Sequence, residues 1–383
     1  MKNLPFRFSK EEIQIRRGRI RAAMSGAGVD ALIIGSSARS DRRGALRYAT
    51  DTCLQFFEEF AVIHLEGPVG YFAHDAARAA FAQNLHLVDY ADFIDPAAPG
   101  RKAARFAKGR RPGRIGVCGA DSLSMKYCAS LMEALEGEDV ADFTRNLDMV
   151  RMGKSAAEIA FSRRAVALNE EAFMAWLASV KAGEDRYKPF AAASALAAEM
   201  GCEEQFWLAS FGKEPPLCLP QALAGGGAWE RGESGVVVLE HTVSGGYFGE
   251  VMHTYFLGSP ESGAVEAFQA VSRAQQLAAG AMRPGVTAGY IAGLIDSFLV
   301  EEGWVGKNET GRVHGHGQGL DITEPPLVAS GDQTVLTPGT RLNIHPRVRL
   351  SSGQEITSTD CYAVTDSGAE RLSSLSREPV VIN

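Results

Sequence analysis

Apolar and polar positions in the first 150 residues follow helical and strand periods in alternation. The first amphipathic stretch, 9–28, begins at Ser9, whose hydroxyl can cap a helix, and Glu12 three residues later can complete a capping box. Short apolar runs typical of buried strands follow, separated by helical stretches. The strands are predicted at 30–35, 60–65 and 114–119, and the helices at 75–83 and 123–135. This order predicts an α/β domain that ends near residue 150.

The pattern changes after residue 150. Ser155 and Glu158 form a second capping box in front of a predicted helix of about 25 residues. The rest of the chain is predicted to contain two successive groups of elements, each with helices followed by strands. Helices are predicted at 187–200, 262–279 and 287–303, and strands at 204–211, 235–243, 247–257, 310–323, 340–350 and 358–365. Two helical pairs, each followed by strands, predict an α+β region over 151–383.

Length, charge and cysteine content narrow the class of protein. A chain of 383 residues exceeds the ~150 residues of a typical domain. Its net charge of −7 gives no basic footprint, so nucleic acid and anionic membrane surfaces are not expected partners. No apolar run approaches the ~20 residues of a membrane helix. Six scattered cysteines without a Cys-x-x-Cys pair indicate reduced thiols and a cytoplasmic location.

One segment departs from the acidic balance. Between residues 96 and 113, lysines and arginines stand at positions 101, 102, 105, 108, 110 and 111. Such a run could bind an acidic partner, but a solvated surface loop is the usual structure, and we predict a loop here.

The segment 312–326 carries the strongest signal of chemistry. His314 and His316 alternate with glycines, so both point to one face of an extended strand, and the glycines let another backbone or a ligand come close. Five of the eight histidines fall between residues 241 and 345. Packing alone does not explain this clustering, so we expect a catalytic centre in the C-terminal half.

Glu250 interrupts an apolar strand pattern. Its neighbours in 246–258 are mostly aromatic or aliphatic. An unpaired buried carboxylate is costly, so Glu250 must face either solvent or a partner. The alternation alone leaves both possibilities open.

Four motifs in a fixed order resemble one known family. They are Gly-Tyr-x-x-Glu-x-x-His-Thr-Tyr from Gly246, His-Gly-His-Gly-Gln-Gly-Leu-Asp-Ile-Thr-Glu-Pro-Pro from His314, Leu-Asn-Ile-His-Pro from Leu342, and Thr-Asp-Cys-Tyr-Ala-Val-Thr-Asp-Ser-Gly-Ala-Glu from Thr359. Together they resemble the pita-bread family of methionine aminopeptidase, prolidase and aminopeptidase P, in its creatinase-like branch. The resemblance implies a creatinase/prolidase-like α/β domain over 1–150, an α+β pita-bread catalytic domain over 151–383, and a homodimer.

The resemblance also implies a ligand set, from which this chain departs. Metal-dependent members supply two aspartates, one histidine and two glutamates. Here His316 fills the histidine position and Glu250 the second aspartate position, while His345 and Thr359 stand at the glutamate positions. The first aspartate position falls on Leu239 or, with a shift of one residue, on Glu240. A pair of metal ions needs bridging carboxylates, so two metals are not expected.

Three hypotheses follow from this altered ligand set. We favour a creatinase-like hydrolase that cleaves a C–N bond in a small guanidino, amidino or amide metabolite without a metal, with His316, His345 and Glu250 as catalytic groups. The first alternative keeps one divalent metal, zinc or iron, on the same three residues, in a lyase or an Xaa-Pro-type peptidase. The second alternative is a catalytically inactive homologue that binds a partner through the cleft.

Six further residues are predicted to contact a small-molecule substrate. They are Glu240, His314, His253, Glu58, Thr359 and Asp360. Glu58 is included because the resemblance implies that the N-terminal domain of one subunit reaches the site of its partner. Its acidic character would favour a substrate that is more cationic than a carboxylate.

Overall fold

The computed structural model describes residues 7–38, 42–54, 57–212, 219–220 and 226–383. The chain divides into two compact units, of which one runs to Arg151 and the other begins at Met152. Each unit has its own sheet system and its own packed interior.

The N-terminal unit alternates helices with strands. The helices are α1 (Lys10–Gly26), α2 (Gly44–Thr50), α3 (Ala76–Asn84), α4 (Arg101–Lys108), α5 (Met125–Ala134) and α6 (Thr144–Met152), with a 3-10 turn at Ala120–Ser122. The strands are β1 (Ala31–Ser37), β2 (Glu58–His64), β3 (Val69–Ala73), β4 (Tyr90–Phe93), β5 (Ile115–Cys118) and β6 (Val140–Asp142). The Ser9 hydroxyl accepts a hydrogen bond from the Glu12 N–H at 3.2 Å, which confirms the predicted N-cap of α1.

The six strands form one mixed sheet in the order β4-β3-β2-β1-β5-β6. The two central pairings, β1 with β2 and β2 with β3, are antiparallel, and the outer pairings are parallel. Every residue of β1 is buried, which explains why the segment reads as a continuous apolar run.

The C-terminal unit contains two helical pairs, each followed by strands. The helices are α7 (Ala156–Ser179), α8 (Tyr187–Glu199), α9 (Ala264–Ala281) and α10 (Ala288–Glu301). The strands are β7 (Trp207–Ala209), β8 (Leu219–Pro220), β9 (Ser234–Leu239), β10 (Val251–Leu257), β11 (Gly315–Gly317), β12 (Glu324–Leu327), β13 (Arg341–Ile344), β14 (Arg347–Arg349), β15 (Glu355–Thr357), β16 (Asp360–Thr365), β17 (Gly368–Arg371) and β18 (Val380–Ile382). The predicted capping box at Ser155 and Glu158 is present at the start of α7.

Two five-stranded sheets of this unit meet where β10 approaches the start of β16. Their orders are β18-β10-β9-β7-β8 and β12-β11-β13-β16-β17. The Thr359 N–H donates to the Met252 carbonyl at 2.8 Å, and a bridge joins His253 to Ser358. Helices α9 and α10 pack their apolar faces against β13, β15 and β16. The sheets therefore bring segments more than 100 residues apart in sequence to one place.

Several predicted elements differ from the structure. Of the strand predicted at 310–323, only Gly315–Gly317 forms β11. The predicted strand 340–350 is split into β13 and β14, because Pro346 has no N–H to continue the ladder. The basic segment predicted as a loop contains α4, whose buried face consists of Ala103, Ala104 and Ala107. Alanine is the strongest helix former, and these three positions give the segment an apolar side to pack.

Two general features concern the whole described chain. Among the residues that the structure describes, no helix combines the length and the apolar character needed to cross a bilayer. Five of the six cysteines are free thiols, and Cys218 lies outside the described residues.

Candidate active site

Glu250 directly precedes β10. The register of the β9–β10 ladder, continued by one residue, puts Glu240 opposite Glu250. A Cβ at the preceding Gly249 would lie 2.3 Å from the Ala165 carbonyl oxygen of α7. Only glycine allows this close approach, so Gly249 fixes where the Glu250 backbone enters the sheet.

His316 is the middle residue of β11. A Cβ at Gly315 would lie 2.1 Å from the Asn343 carbonyl oxygen, and one at Gly317 would lie 2.3 Å from that of Pro325. The glycines around His316 therefore make room for the backbones of β13 and β12 on either side.

His345 follows the last residue of β13. Its N–H donates to the His314 carbonyl at 2.8 Å, which extends the pairing of β11 and β13 by one residue. Strand alternation places His345 on the same face as Asn343. Pro346 then ends the strand, so His345 is held between two short strands.

These three segments bring Glu250, His316 and His345 together. Each side chain offers one potential metal-ligating atom, and the three atoms lie within 4.8 Å of one another. The His316 Nε2 is 3.5 Å from Oε2 of Glu250, and the two imidazole centroids are 5.2 Å apart. No other group of three or more such side chains is found in the described part of the chain.

Neighbouring groups fix the orientation of this triad. The Thr359 hydroxyl donates to Oε1 of Glu250 at 2.6 Å, and the Asn343 amide donates to Oε2 at 2.6 Å. The His316 Nδ1 lies 2.9 Å from the Gly317 carbonyl oxygen, so Nδ1 carries the hydrogen. Nε2, which is 3.5 Å from Oε2 of Glu250, therefore carries the lone pair.

Burial and charge set the protonation of two of the three groups. Burial lowers the pKa of His345 to about 4, although Glu250 opposes this shift. Burial also tends to raise the pKa of Glu250. His345, His316, the Thr359 hydroxyl and Arg341 outweigh that effect, and the net pKa is lowered. At neutral pH the carboxyl group is ionised and the His345 imidazole is neutral, which are the states that a metal ion requires.

The donor set suits one divalent ion. A carboxylate with two imidazoles is a common set for zinc or iron. Nδ1 of His345 is buried and has no hydrogen-bond partner among the described residues, so it is a donor atom that protein groups leave unused. The hydrogen bonds to Glu250 and His316 are the supporting contacts that metal ligands usually have. A second ion would need further bridging carboxylates.

The site also contains Gln318, Arg341 and Asn343, which are not among the residues predicted from the sequence. The Gln318 amide donates to Oε1 of Glu240 at 3.1 Å, and Nη1 of the fully buried Arg341 donates to Oε1 of Gln318 at 2.6 Å. Arg341 and Asn343 stand at alternate positions of β13, and His345 continues the alternation directly after the strand. That spacing was the signal in the sequence that could have identified them.

The predicted substrate contact at His253 is wrong. Its ring packs between Phe173 and Phe268, with centroid distances of 5.4 and 5.0 Å, and its Nδ1 lies 2.7 Å from the Thr254 carbonyl oxygen. The side chain is buried, and burial lowers its pKa to about 4. His253 is a neutral residue of the packed interior.

Asp360 also differs from the prediction. It accepts hydrogen bonds from Arg371 at 2.7 and 2.9 Å and from Arg377 at 2.8 Å, and it is buried. Both carboxylate oxygens are occupied, so Asp360 stabilises the chain after β17 and is not available to a substrate. Thr359 points to the opposite face and contacts Glu250.

His314 and Glu58 lie in separate environments. Nε2 of His314 is 2.8 Å from Oδ1 of Asp296 in α10, and the ring is buried, so it braces β11 rather than contacting a substrate as predicted. Glu58 belongs to the N-terminal unit and accepts a hydrogen bond from the Ser124 hydroxyl at 2.6 Å, at the start of α5. A role of Glu58 towards a substrate stays a prediction.

Two family models match the chain in the order of its two units. The model described as the creatinase/prolidase N-terminal domain matches residues 16–153. The model described as metallopeptidase family M24 matches residues 160–366, more than half of the chain. The chain belongs to metallopeptidase family M24. The M24 match contains all three residues of the triad.

Individual relatives agree with this assignment. An Xaa-Pro dipeptidase of Pyrococcus furiosus is 27% identical over 248 residues, which cover 63% of this chain and 70% of the relative. A probable dipeptidase PepE of Mycobacterium tuberculosis is 31% identical over 152 residues, 40% of either chain. The crystal structure of dipeptidase PepE from Mycobacterium ulcerans shares the fold, with a TM-score of 0.83, 24% identity and coverage of 98% and 99%. The prolidase structure from Pyrococcus horikoshii gives a TM-score of 0.79 at 20% identity, with coverage of 96% and 100%.

Membership of family M24 confirms the pita-bread family and its fold, and it corrects the predicted activity. The hypothesis of a creatinase-like hydrolase acting on a non-peptide C–N bond is wrong, because the family is one of metallopeptidases and the matched relatives are named dipeptidases. The preference for metal-free chemistry was part of that hypothesis and loses its basis. The error came from giving the missing carboxylates more weight than the single-metal alternative on the same three residues.

Proposed function

We propose that the chain is a metal-dependent peptidase that cleaves the peptide bond of small Xaa-Pro-type dipeptides. The observation that carries the proposal is the convergence of Glu250, His316 and His345, within 4.8 Å of one another, inside the segment that matches family M24. The names of the matched relatives support dipeptides as the substrate class.

One divalent ion, zinc or iron, is proposed to bind at Glu250, His316 and His345. When bound, such an ion polarises a carbonyl oxygen and lowers the pKa of a coordinated water. The protein groups are arranged for this task before any ion arrives. Thr359 and Asn343 hold the two carboxylate oxygens of Glu250, and the Gly317 carbonyl selects the tautomer of His316.

Glu240 is proposed to bind the free α-ammonium group of the dipeptide. It lies opposite Glu250 across the β9–β10 ladder, and Gln318 holds one of its oxygens. Arg341 in turn holds Gln318, so the carboxylate is part of a buried chain of hydrogen bonds. A fixed carboxylate distinguishes a free amino terminus from an internal peptide bond, which favours short substrates.

The test combines metal analysis with a substrate panel. Metal-free protein is loaded separately with zinc, iron(II), manganese and cobalt, and hydrolysis of Xaa-Pro and proline-free dipeptides is measured by amino-acid release. We expect about one ion per chain and hydrolysis of at least one Xaa-Pro dipeptide. His316→Ala and His345→Ala should reduce kcat/KM by roughly 100-fold or more, because each removes a direct ligand. The exposed His86→Gln is the matched control and should retain activity.

Two results would contradict the proposal. Bound metal with no cleavage of any dipeptide would indicate the inactive binding homologue. Full activity in His316→Ala with the metal still bound would exclude the triad as the ligand set.

A homodimer in the cytoplasm is proposed on narrower grounds. The resemblance to creatinase-like enzymes supports the dimer, and the free thiols among the described residues are compatible with a reducing compartment. Light scattering of the purified protein tests the dimer, since a monomer at micromolar concentration would contradict it.

A further inference from the structure

The N-terminal unit contains a surface cavity that the proposed peptidase function does not use. It has a volume of about 470 Å³ and lies beside α4, against β3 and the edge strand β4. Volumes of this size are typical of sites for small ligands. Its lining includes three aromatic residues, Phe72, Tyr90 and Phe106, three cationic ones, Lys102, Arg105 and Arg110, and one carboxylate, Asp92.

The aromatic side chains form a continuous platform. The rings of Tyr90 and Phe106 are stacked, with centroids 5.2 Å apart and an interplanar angle of 17°, and Phe72 meets Phe106 edge-on at 5.7 Å. Phe72 is buried, whereas Tyr90 is 40% exposed. Part of the Tyr90 ring therefore remains open to a planar ligand, as in proteins that stack bases or aryl groups.

The cations around the platform are only partly paired. Lys102 forms an ion pair with Asp92 at 2.9 Å. Arg105 and Arg110 have no hydrogen-bond or ion-pair partner within the described ranges of the chain. Arg110 packs over Gly67, where a Cβ would lie 3.1 Å from its Nε. Two guanidinium groups with free donors thus border an aromatic surface, in a chain whose net charge is −7.

A solvated basic face is the alternative explanation, and it accounts for only part of the site. The outward residues of α4 do carry charge, as a surface helix requires. Solvation does not explain why an exposed tyrosine is stacked on a phenylalanine in the lining of a cavity that also contains Arg105 and Arg110. The combination matches a ligand with an apolar ring and an anionic group.

We propose that this cavity binds a small molecule that carries a planar aromatic ring and a phosphate or carboxylate group. The ring stacks on Tyr90, and the anionic group accepts hydrogen bonds from Arg105 and Arg110. A nucleotide and an aryl carboxylate share this chemistry. The site lies within the N-terminal unit and does not depend on the peptidase proposal.

Calorimetric titration of the full-length protein tests the site with four probes. Adenosine monophosphate and salicylate carry both features, adenosine carries the ring alone, and inorganic phosphate carries the charge alone. We expect adenosine monophosphate or salicylate to bind at least about tenfold more tightly than adenosine and phosphate. Which of the two binds distinguishes a nucleotide from an aryl carboxylate.

Matched variants locate the binding. Arg110→Gln, Arg105→Gln and Tyr90→Ala should each weaken binding of the stronger probe by about tenfold, whereas the exposed neighbour Arg111→Gln should leave it unchanged. Circular dichroism monitors folding, and Tyr90→Leu replaces Tyr90→Ala if the smaller residue unfolds the edge strand. Three results would overturn the proposal: no saturable binding of either ring anion, equal affinity for phosphate alone, or undiminished binding in both arginine variants.

Discussion

At the scale of single residues, Asn343 shows how the candidate site depends on a group that binds no metal itself. Its amide holds Oε2 of Glu250 at 2.6 Å inside the buried interior. Without it, Oε2 would lose a donor, and the carboxylate could rotate away from His316. Contacts of this kind orient a ligand and tune its affinity.

We therefore expect Asn343→Ala to lower the affinity for zinc by roughly 10- to 100-fold. Titration of metal-free protein against a competing chelator measures this directly. The exposed Asn308→Ala is the control and should bind zinc like the unmodified protein. An affinity within twofold of the original in Asn343→Ala would show that the hydrogen bond to Glu250 does not position the ligand.

His253 gives a prediction about pH. Burial lowers its pKa to about 4, from an ordinary value near 6.5, so the unfolded chain binds a proton between these values and the folded chain does not. Stability should consequently fall as the pH drops from about 6.5 to 4, by up to roughly 3 kcal/mol for this residue. His253→Phe should reduce this loss, because phenylalanine cannot be protonated.

Urea unfolding of His253→Phe and of the original protein at pH 7, 5.5 and 4.5 gives the free energy of unfolding at each pH. The change in that free energy between pH values is compared, because the variant also loses the contact with the Thr254 carbonyl at every pH. The surface variant His86→Gln should show the same dependence of the free energy of unfolding on pH as the original protein. An identical dependence of stability on pH in His253→Phe would mean that folding does not lower the pKa of this histidine.

Site residues that the sequence identifies stand out from their local pattern. The roles of the residues that it misjudges depend on contacts with residues far away in sequence. His316 and Glu250 stand out from the local pattern, one among glycines and one in an apolar strand. The environment of His253 is set by a ring contact with Phe173, 80 residues earlier in the chain. The environment of Asp360 is set by a hydrogen bond from Arg377, beyond the next turn. Strand alternation gives the face on which a side chain lies, but it does not give the neighbour that covers that face.

At the scale of elements, glycines determine how closely the strands of the site approach. Gly315→Ala would put a Cβ 2.1 Å from the Asn343 carbonyl oxygen, so β11 and β13 must separate. We expect a loss of at least about 3 kcal/mol in the free energy of unfolding, together with weaker zinc binding, because the two strands carry His316 and lead to His345.

The control for Gly315→Ala is Gly280→Ala within α9. A Cβ at Gly280 would meet nothing within 4 Å, and alanine is the better helix former, so this variant should be more stable by about 0.5–1 kcal/mol. Chemical denaturation of both variants checks the pair. A small effect at Gly315, comparable in size to that at Gly280, would contradict the steric argument.

Most elements could be predicted from periodicity and caps, as α1 and α7 illustrate with their serine caps. The two incorrect predictions described next have causes that can be seen in the local sequence. Pro346 divides a predicted strand and leaves His345 at the break, and three alanines turn a predicted basic loop into α4. Charge was given more weight than the apolar side of the segment.

At the scale of the whole molecule, the order of the sequence motifs was sufficient to predict the fold. Predicting the chemistry also required the distances between the side chains in the folded chain. Counting carboxylates in the sequence argued against a pair of metals, and that stays a prediction. The distances that bring three donors from the β10, β11 and β13 segments together come only from the folded chain. The fold holds those segments in place through long-range contacts, of which the buried pair of Lys154 and Glu324 spans 170 residues.

This pair provides the last prediction. Nζ of Lys154 is 2.6 Å from Oε2 of Glu324, and both side chains are buried, at 2% and 4% exposure. Lys154 precedes α7, and Glu324 begins the strand that pairs with the His316 segment. Lys154→Met leaves a buried carboxylate without its cation, so we expect a loss of roughly 3–5 kcal/mol in the free energy of unfolding.

The control is Arg273→Ala, which breaks the exposed ion pair with Glu302 and should lower the free energy of unfolding by at most about 1 kcal/mol. The double variant Lys154→Met with Glu324→Gln should be more stable than Lys154→Met alone. It removes the buried negative charge and keeps an oxygen that accepts hydrogen bonds from the Leu320 and Asp321 N–H groups. Urea denaturation of the three variants decides the matter, and a cost below 1 kcal/mol for Lys154→Met would mean that water or another group compensates Glu324.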